Sequence, residues 1–500
     1  MAPDNTQDPA VERPAKLHGR AFYESIGSPK FIVAPMVDQS EFAWRMLTRS
    51  FLSPTEQSNL LAYTPMLHAR LYSEEEKYRR QHFQPVHSST SKPWLDGNAA
   101  IDRPLFVQFC ANDPNQLLSA AKQVAPYCDA VDLNLGCPQG IARKGHYGAF
   151  LQEDQKLIFK LINTLHNELP VPVTAKIRML DTKEETLAYA KNVLSAGASI
   201  LTVHGRRREM KGHLTGLADW KMIRFLRDSL PAETVIFANG NILQHGDLER
   251  CLEATGADGI MSAEGNLSDP GIFAKPPPKG EEGREYWRGK DGEGGWRVDA
   301  VCRRYINILH EHALGSAPPD RKPLFIPGDN TAWITESEAL EEEPSAKKRK
   351  VSGKKQEQGP NMSAVQPHLF HLLRHFVSKH TDVRDMLAKS RAGDIDAYER
   401  ILLAVERKVA EGLLEYERTD GASVAEPPRE GEDLPEDESS AGTMARCRRP
   451  WWVAQPIIRP LPSEALKKGA VRPKKKDQEK AAEEKGKADD IKTRDSAVAG

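Results

Sequence analysis

The sequence predicts a (β/α)8 barrel, the TIM-barrel form of the α/β class, followed by a small all-α helical domain. Three observations carry this expectation. Eight short apolar, β-branched runs recur between residues 31 and 263, and the later ones leave room for one helix between neighbours. Continuous apolar runs alternating with helices mark a parallel sheet covered on both faces. The runs also tend to end on polar residues, which a barrel gathers on one rim. Eight such units in about 250 residues match the usual size of this barrel. An open doubly wound sheet is the competing arrangement. No G-x-G-x-x-G follows an early strand, which weakens its dinucleotide-binding version.

The predicted strands are Phe31–Pro35, Leu61–Pro65, Leu105–Cys110, Ala130–Leu135, Val171–Arg178, Ile200–His204, Thr234–Asn239 and Gly259–Ala263. Met36 follows the first, and Gln108 lies in the third. Asn134 and Cys137 close the fourth, Lys176 and Arg178 the fifth, His204 and Arg206 the sixth. Asn239-Gly240-Asn241 closes the seventh and Glu264-Gly265 the eighth. Each has a dull explanation alone: a satisfied structural histidine, or an ordinary Asn-Gly turn. On the heptapeptide Asn134–Gly140 alone, a small buried hydrophobe is the plainer reading of Cys137. Convergence of all these groups on one rim favours a site. The glycine turns after strands seven and eight stand where this fold seats a phosphate.

The domain boundaries follow from composition. Residues 1–28 read as a loose N-terminal tail and 29–275 as the barrel. Residues 276–298, rich in Pro, Gly and charge, read as a surface insertion. Helical periodicity returns over 299–330, where Val301, Tyr305, Ile308 and Leu309 share a face, and over 361–418. Val365, Leu369, Leu372, Leu373 and Phe376 mark the second stretch, with Tyr398, Ile401, Leu402, Val405 and Leu413 after them. A polar insert, 331–360, divides these halves and reads as disordered, as does the Glu-, Lys- and Pro-rich tail 419–500. Non-core positions of the helical domain are basic: Arg374, His375, Lys379, Arg384, Lys389 and Arg391. They form either a solvated face or a polyanion-binding one. Two basic runs, Lys347–Val351 and Arg472–Lys476, read as a nuclear address, an RNA contact or a charged linker.

The bulk numbers exclude several classes. The 500 residues carry a formal net charge of −1, with acidic and basic residues segregated along the chain. Six cysteines show no C-x-x-C and no Cys/His cluster, so a reducing compartment and no structural zinc are expected. The polar amino terminus lacks the apolar core of a secretory signal. No apolar run approaches membrane-spanning length, so a soluble intracellular protein without membrane contact is expected.

Six motifs, in order, resemble the tRNA-dihydrouridine synthases. They are Ala34-Pro35-Met36-Val37-Asp38, Leu133-Asn134-Leu135-Gly136-Cys137-Pro138-Gln139, Lys176-Ile177-Arg178, Thr202-Val203-His204-Gly205-Arg206, Ala238-Asn239-Gly240-Asn241-Ile242 and Ser262-Ala263-Glu264-Gly265. Gly140–Gly148 and Tyr63-Thr64-Pro65-Met66 are most similar to the eukaryotic branch acting on D-loop positions 16 and 17. The helical segment resembles that family's tRNA-binding domain more loosely. The resemblance implies FMN in the barrel mouth, with Pro35, Met36 and Val37 along its ring. It places Gln108 and Lys176 at the ring's polar edge, with His204 nearby. Asn239, Gly240, Asn241, Ala263, Glu264 and Gly265 would hold the ribityl phosphate. Cys137 would be the catalytic acid, and Asn134, Arg178 and Arg206 would lie near the uracil or its phosphate.

The implied activity is reduction of the uridine C5=C6 bond in tRNA, with NADPH or NADH as electron donor. Apart from the resemblance, nothing in the sequence demands a dimer, so a monomer is expected, and the basic run Lys347–Val351 points to the nucleus, with the cytoplasm as the other expected location. Two rivals remain at this level: a dihydroorotate-type dehydrogenase acting on free pyrimidines, and a non-catalytic RNA-binding scaffold. The first needs no basic helical appendage. The second has no use for an intact Cys137, Lys176 and His204.

Overall fold

The computed structural model describes residues 16–57, 59–335, 359–424 and 449–455. Among these, residues 209–217 form a separate short unit whose one regular element is the turn Gly212–Leu214. The remaining described residues form the main unit.

Eight parallel strands close a ring: β1 Phe31–Val33, β2 Leu60–Tyr63, β3 Leu105–Cys110, β4 Ala130–Leu135, β5 Val173–Arg178, β6 Ile200–His204, β7 Val235–Asn239 and β8 Gly259–Ser262. Each pairs with its successor, and β1 pairs with β8, Phe31 opposite Ile260, which completes the closure. A two-residue strand, Leu67–His68, extends the edge of β3. The strands are rich in apolar residues because helices cover their outer faces while side chains fill the interior. Apart from Phe31 and His204, every residue of β1–β8 is buried.

Helix starts are capped where the sequence offers a cap. Asp113 accepts from Asn115 and Gln116, Asp219 from Met222, and Thr182 with Glu185 forms a capping box.

Residues 16–28, expected as loose tail, are built into the barrel instead. Helix Gly19–Ser25 lies where the strands begin. Phe22 stacks on Phe106, and the Tyr23 hydroxyl donates to the carbonyls of Pro29 and Asp258. The reason is closure: the amino-terminal mouth of the barrel needs an apolar plug, and these two aromatic rings supply it.

The helical domain comprises Val298–Ile308, Val365–Leu372, Arg374–Lys379, Thr381–Lys389 and the 24-residue helix Ile395–Arg418. Every apolar position expected in its core is buried. It meets the barrel through a sealed polar cluster. Glu41, ahead of helix Phe42–Arg49, accepts from His368 Nε2 at 3.0 and 3.1 Å and from the Tyr305 hydroxyl at 3.1 Å. Trp44 stacks on the His368 ring at 4.0 Å and donates from Nε1 to Asn266 at 2.8 Å.

Two further segments differ from expectation. Within 276–298, an antiparallel hairpin pairs Tyr286–Arg288 with Gly294–Trp296, and Trp296 packs on Phe51. Part of the expected C-terminal tail, 449–455, returns to it. Val298 N donates to Trp452 O and Ala454 N to Trp296 O, while Trp452 is buried between Trp287 and Tyr416. Indole rings at 451 and 452 supply the apolar area that the surrounding charged composition hides. Residues 336–358, 425–448 and 456–500, and with them both basic runs, lie outside the described residues.

Candidate active site at the carboxyl rim

The site is assembled by strand register. Gln108 lies opposite Asp132, and Asp132 opposite Thr174. One layer nearer the rim, Asn134 lies opposite Lys176, and higher still Arg178 opposite His204, which lies opposite Asn239. Side chains two apart on a strand share a face. Asp132 and Asn134 therefore point inward together, as do Thr174, Lys176 and Arg178.

Cys137 stands on the turn just beyond β4. The turn is gripped from both sides. Asn134 Oδ1 accepts the N–H groups of Gly136 and Cys137 at 3.1 and 2.9 Å, and Arg178 Nε donates to the Gly136 carbonyl at 2.6 Å. Gly148, at φ +65°, passes close behind, and a Cβ there would stand 2.9 Å from the Cys137 carbonyl oxygen. Cys137 packs beside Cys110, Ala142 and Tyr147. Among the described cysteines Cys137 is the one that is not buried. Burial, and then Cys137 itself, push the Cys110 thiol up to about 12.

A cationic group lies beside this turn. Lys176 Nζ donates to Asn239 Oδ1 at 2.8 Å, while Asn239 Nδ2 donates to the Met261 carbonyl at 2.9 Å. Burial, with Arg178 adding repulsion, lowers Lys176 to about 7. His204 is driven well below its ordinary value by burial and by Arg178, Lys176 and Arg206. Its Nε2 accepts from Arg206 at 3.1 Å, since a guanidinium only donates. Arg206 also donates to Asn241 Oδ1 at 2.6 Å.

The remaining predicted residues complete the rim. Ser262 Oγ donates to the Ile242 carbonyl, tying the end of β8 to the Asn239–Ile242 turn. Gly265 is pressed against the same carbonyl, which a Cβ would meet at 2.1 Å. Ala263 and Glu264 are half-buried beside it. Gly240 has φ +116° and Asn241 φ +60°, so this turn is left-handed at both positions. Next to β8, after β1, Pro35 is half-buried, Met36 is buried and Val37 is 45% exposed.

Gln108 is wholly buried below this rim, with Nε2 donating to Asp132 and Oε1 accepting from Asn134, both at 2.8 Å. Sequence reading missed Asp132 and Thr174. The signal was there: a carboxylate inside an otherwise apolar strand, two residues before Asn134.

Residues 32–313 match the family described as Dihydrouridine synthase (Dus). The chain belongs to the dihydrouridine synthase family. A Schizosaccharomyces pombe relative is 43% identical over 447 residues, covering 89% of this chain and 92% of its own. A Saccharomyces cerevisiae relative is 44% identical over 448 residues, covering 89% and 87%. Both are named tRNA-dihydrouridine(16/17) synthase, with NAD(P)(+) in the name. A Mus musculus protein with a "-like" form of that name is 34% identical over 456 residues, covering 91% and 74%. The matches to dihydrouridine synthases thus take in the helical domain as well as the barrel. Among the described residues no helix is long and apolar enough to cross a membrane.

Proposed function

We propose that this dihydrouridine synthase reduces the C5=C6 bond of uridine in the tRNA D-loop, at positions 16 and 17, to 5,6-dihydrouridine. FMN is the resident cofactor in this reading, NADPH or NADH the electron donor, and Cys137 the proton donor. The observation that carries it is the Cys137 turn: a half-buried thiol, clamped by Asn134 and Arg178, beside a cluster of cations.

The chemistry of the donor set fits FMN. Lys176, Arg178 and Arg206 converge, and Lys176 is hydrogen-bonded to an amide rather than a carboxylate. Such a cluster favours an anionic ligand. Lys176 and His204 would meet the ring's polar edge, with Gln108 buried below them against Asp132 and Asn134, and Pro35, Met36 and Val37 would meet its apolar face. Gly240, Asn241, Ala263, Glu264 and Gly265 would meet its phosphate, while Asn239, its amide bonded to Lys176 and the Met261 carbonyl, would hold Lys176 in place. Bound there, FMN supplies the hydride that uracil accepts at C6.

The rest falls to this chain. The C4 carbonyl is conjugated to C5=C6, so addition at C6 leaves negative charge on C5 and O4. A proton must then reach C5. A thiol, with a reference pKa of about 8.5, holds its proton near pH 7 and yields it readily. Asn134 and Arg178 fix where that thiol stands. The uridine must leave its stack to reach a barrel mouth, as enzymes acting on a base require. The basic side chains of the helical domain would grip the phosphates. Arg374, His375, Lys379, Arg384, Lys389 and Arg391 are all exposed. The reading takes the protein as a monomer, and takes the run Lys347–Val351 as a nuclear address beside a cytoplasmic pool. A fluorescent fusion that keeps its nuclear share after that run is replaced by alanines counts against the address.

The deciding experiment maps dihydrouridine, position by position, in tRNA from cells lacking this protein, and repeats the reaction with purified protein. Loss at 16 and 17, restored by purified protein, is expected. Intact dihydrouridine there, or turnover confined to free uridine or orotate, overturns the reading.

A further inference from the structure

The chain leaves Cys137 and comes back to it. Ala149 N donates to the Cys137 carbonyl at 3.1 Å, so residues 138–148 form a closed excursion from the thiol turn. Its tip, the short helix Gly140–Lys144, is braced. Ala142 is fully buried, Arg143 N donates to the Gln139 carbonyl at 3.2 Å, and Gly145 N donates to the Ile141 carbonyl at 2.9 Å. From the loop after β3, Asn112 Nδ2 donates to the Gly145 carbonyl at 2.9 Å.

The side chains on this tip are uncommon company. Ile141 is 65% exposed, the most exposed of the large apolar side chains among the described residues. A single exposed apolar side chain is ordinary on its own. This one stands four residues from the reactive sulfur, no more than about 14 Å of extended chain. Lys144, three residues on, shares its outward helical face, and Gln139 and Arg143 are exposed beside it. A Cβ at Gly140 would meet nothing within 4 Å, so that side of the tip is open.

Charge selects the partner. Residues 133–152 contain no Asp or Glu. Among the described residues Arg143 and Lys144 enter no ion pair, whereas Arg207 and Arg208, beyond β6, are committed to Asp181 and Glu153. Uncommitted cations beside an exposed apolar side chain suit a polyanion that also offers flat apolar faces, which a nucleic acid does. Enzymes acting on a base swing it out of its stack, and proteins that unstack bases insert apolar wedges, isoleucine among them.

We propose that Ile141 is the wedge that takes the place of the extruded uridine, with Arg143 and Lys144 on the phosphates flanking the gap. The inference rests on the function proposed above and adds to it the residue that opens the stack. The bracing serves this role: a side chain on a rigid tip loses little freedom on insertion, whereas a loose loop must first be ordered.

The test uses full-length, flavin-loaded protein and a tRNA carrying 2-aminopurine beside the target uridine, a base that brightens when its neighbour leaves the stack. Wild type, Ile141→Ala, Ile141→Leu and the double variant Arg143→Ala/Lys144→Ala are compared. Binding of wild type should raise the fluorescence several-fold. Ile141→Ala should bind within about 3-fold of wild type, lose most of that rise and lower kcat about 10-fold, and Ile141→Leu should restore both. The double variant should weaken binding and flatten its log–log salt slope by up to about two units, one for each phosphate. Ile141 lies outside the core, so these variants should fold. An unchanged rise or an unchanged kcat in Ile141→Ala overturns the wedge, as does a wild type that forms dihydrouridine with no rise at all. An unchanged salt slope in the double variant overturns the phosphate contacts and leaves the tip to a protein partner. Stack opening by wild type without dihydrouridine formation would sink the functional reading and leave the wedge standing.

Discussion

Arg178 donates from Nε to the Gly136 carbonyl at 2.6 Å, so one of its guanidinium hydrogens is committed to the Cys137 turn. A second bond runs from Nη1 to the carbonyl of Arg207 at 3.1 Å. Lysine keeps the charge but lacks the fork. Arg178→Lys should therefore retain flavin and lower kcat about 10-fold or more. Stopped-flow tRNA reduction alongside flavin absorbance checks this.

Cys137→Ser removes the acidic proton while keeping the shape. A serine hydroxyl is far less acidic than a thiol, so dihydrouridine formation should fall by about 100-fold or more. Flavin content and tRNA affinity should match wild type. Nucleoside mass spectrometry of reacted tRNA, with a filter-binding titration, reads both.

Lys176 gives a pH signature. In the flavin-free protein its pKa is lowered to about 7, from 10.5, chiefly by burial. A bound anion favours the protonated form and raises that value. Binding above pH 7 must then take up a proton, so FMN affinity should fall as pH rises from 7, by up to about tenfold per unit. Below 7 this dependence should vanish. Lys176→Met should bind more weakly and lose the slope. Flavin fluorescence titration of apoprotein at pH 6, 7, 8 and 9 checks the sign.

Gly265 offers no room for a methyl group, because a Cβ would stand 2.1 Å from the Ile242 carbonyl. Gly265→Ala should lower stability by about 1–3 kcal/mol and spread the rim turns. A reduced Tm with a lower flavin-to-protein ratio is the expected outcome, by calorimetry and absorbance.

The exposed basic residues of the helical domain should act on binding alone. Arg374→Glu with Lys389→Glu should weaken tRNA binding and flatten its salt dependence, by about one unit of log–log slope for each phosphate partner removed. Flavin content should not change. Deleting the whole helical domain is a poorer test, because it would bare Glu41, Trp44 and the rest of the sealed cluster on the barrel.

Much of this was legible in the sequence, and the exceptions have physical causes. All eight strands were, because a buried parallel strand is a continuous apolar run, and β3, β4 and β6 match residue for residue. Helix Gly19–Ser25 was missed because two aromatic residues among polar ones make no periodic pattern. The 449–455 segment was missed because a short stretch stabilised by distant partners carries no local signal. At the site, Asn239 illustrates the limit. Its Asn-Gly sequence suggests a turn residue meeting phosphate, yet its amide is occupied by Lys176 and the Met261 carbonyl. Composition announces a polar side chain at a strand end, but only the closed ring decides which neighbour it meets.

The Glu41–His368 pairing bears on target choice. A carboxylate that receives an imidazole and a phenol inside a dry seam cannot slide by a helical turn without stranding all three groups. The Cys137 sulfur and the exposed arginines and lysines of the helical domain therefore keep a constant span, like the jaws of a caliper locked at one setting. Under the proposed function, the nucleotide that reaches Cys137 is chosen by length along the folded RNA, with no need to read the bases on either side.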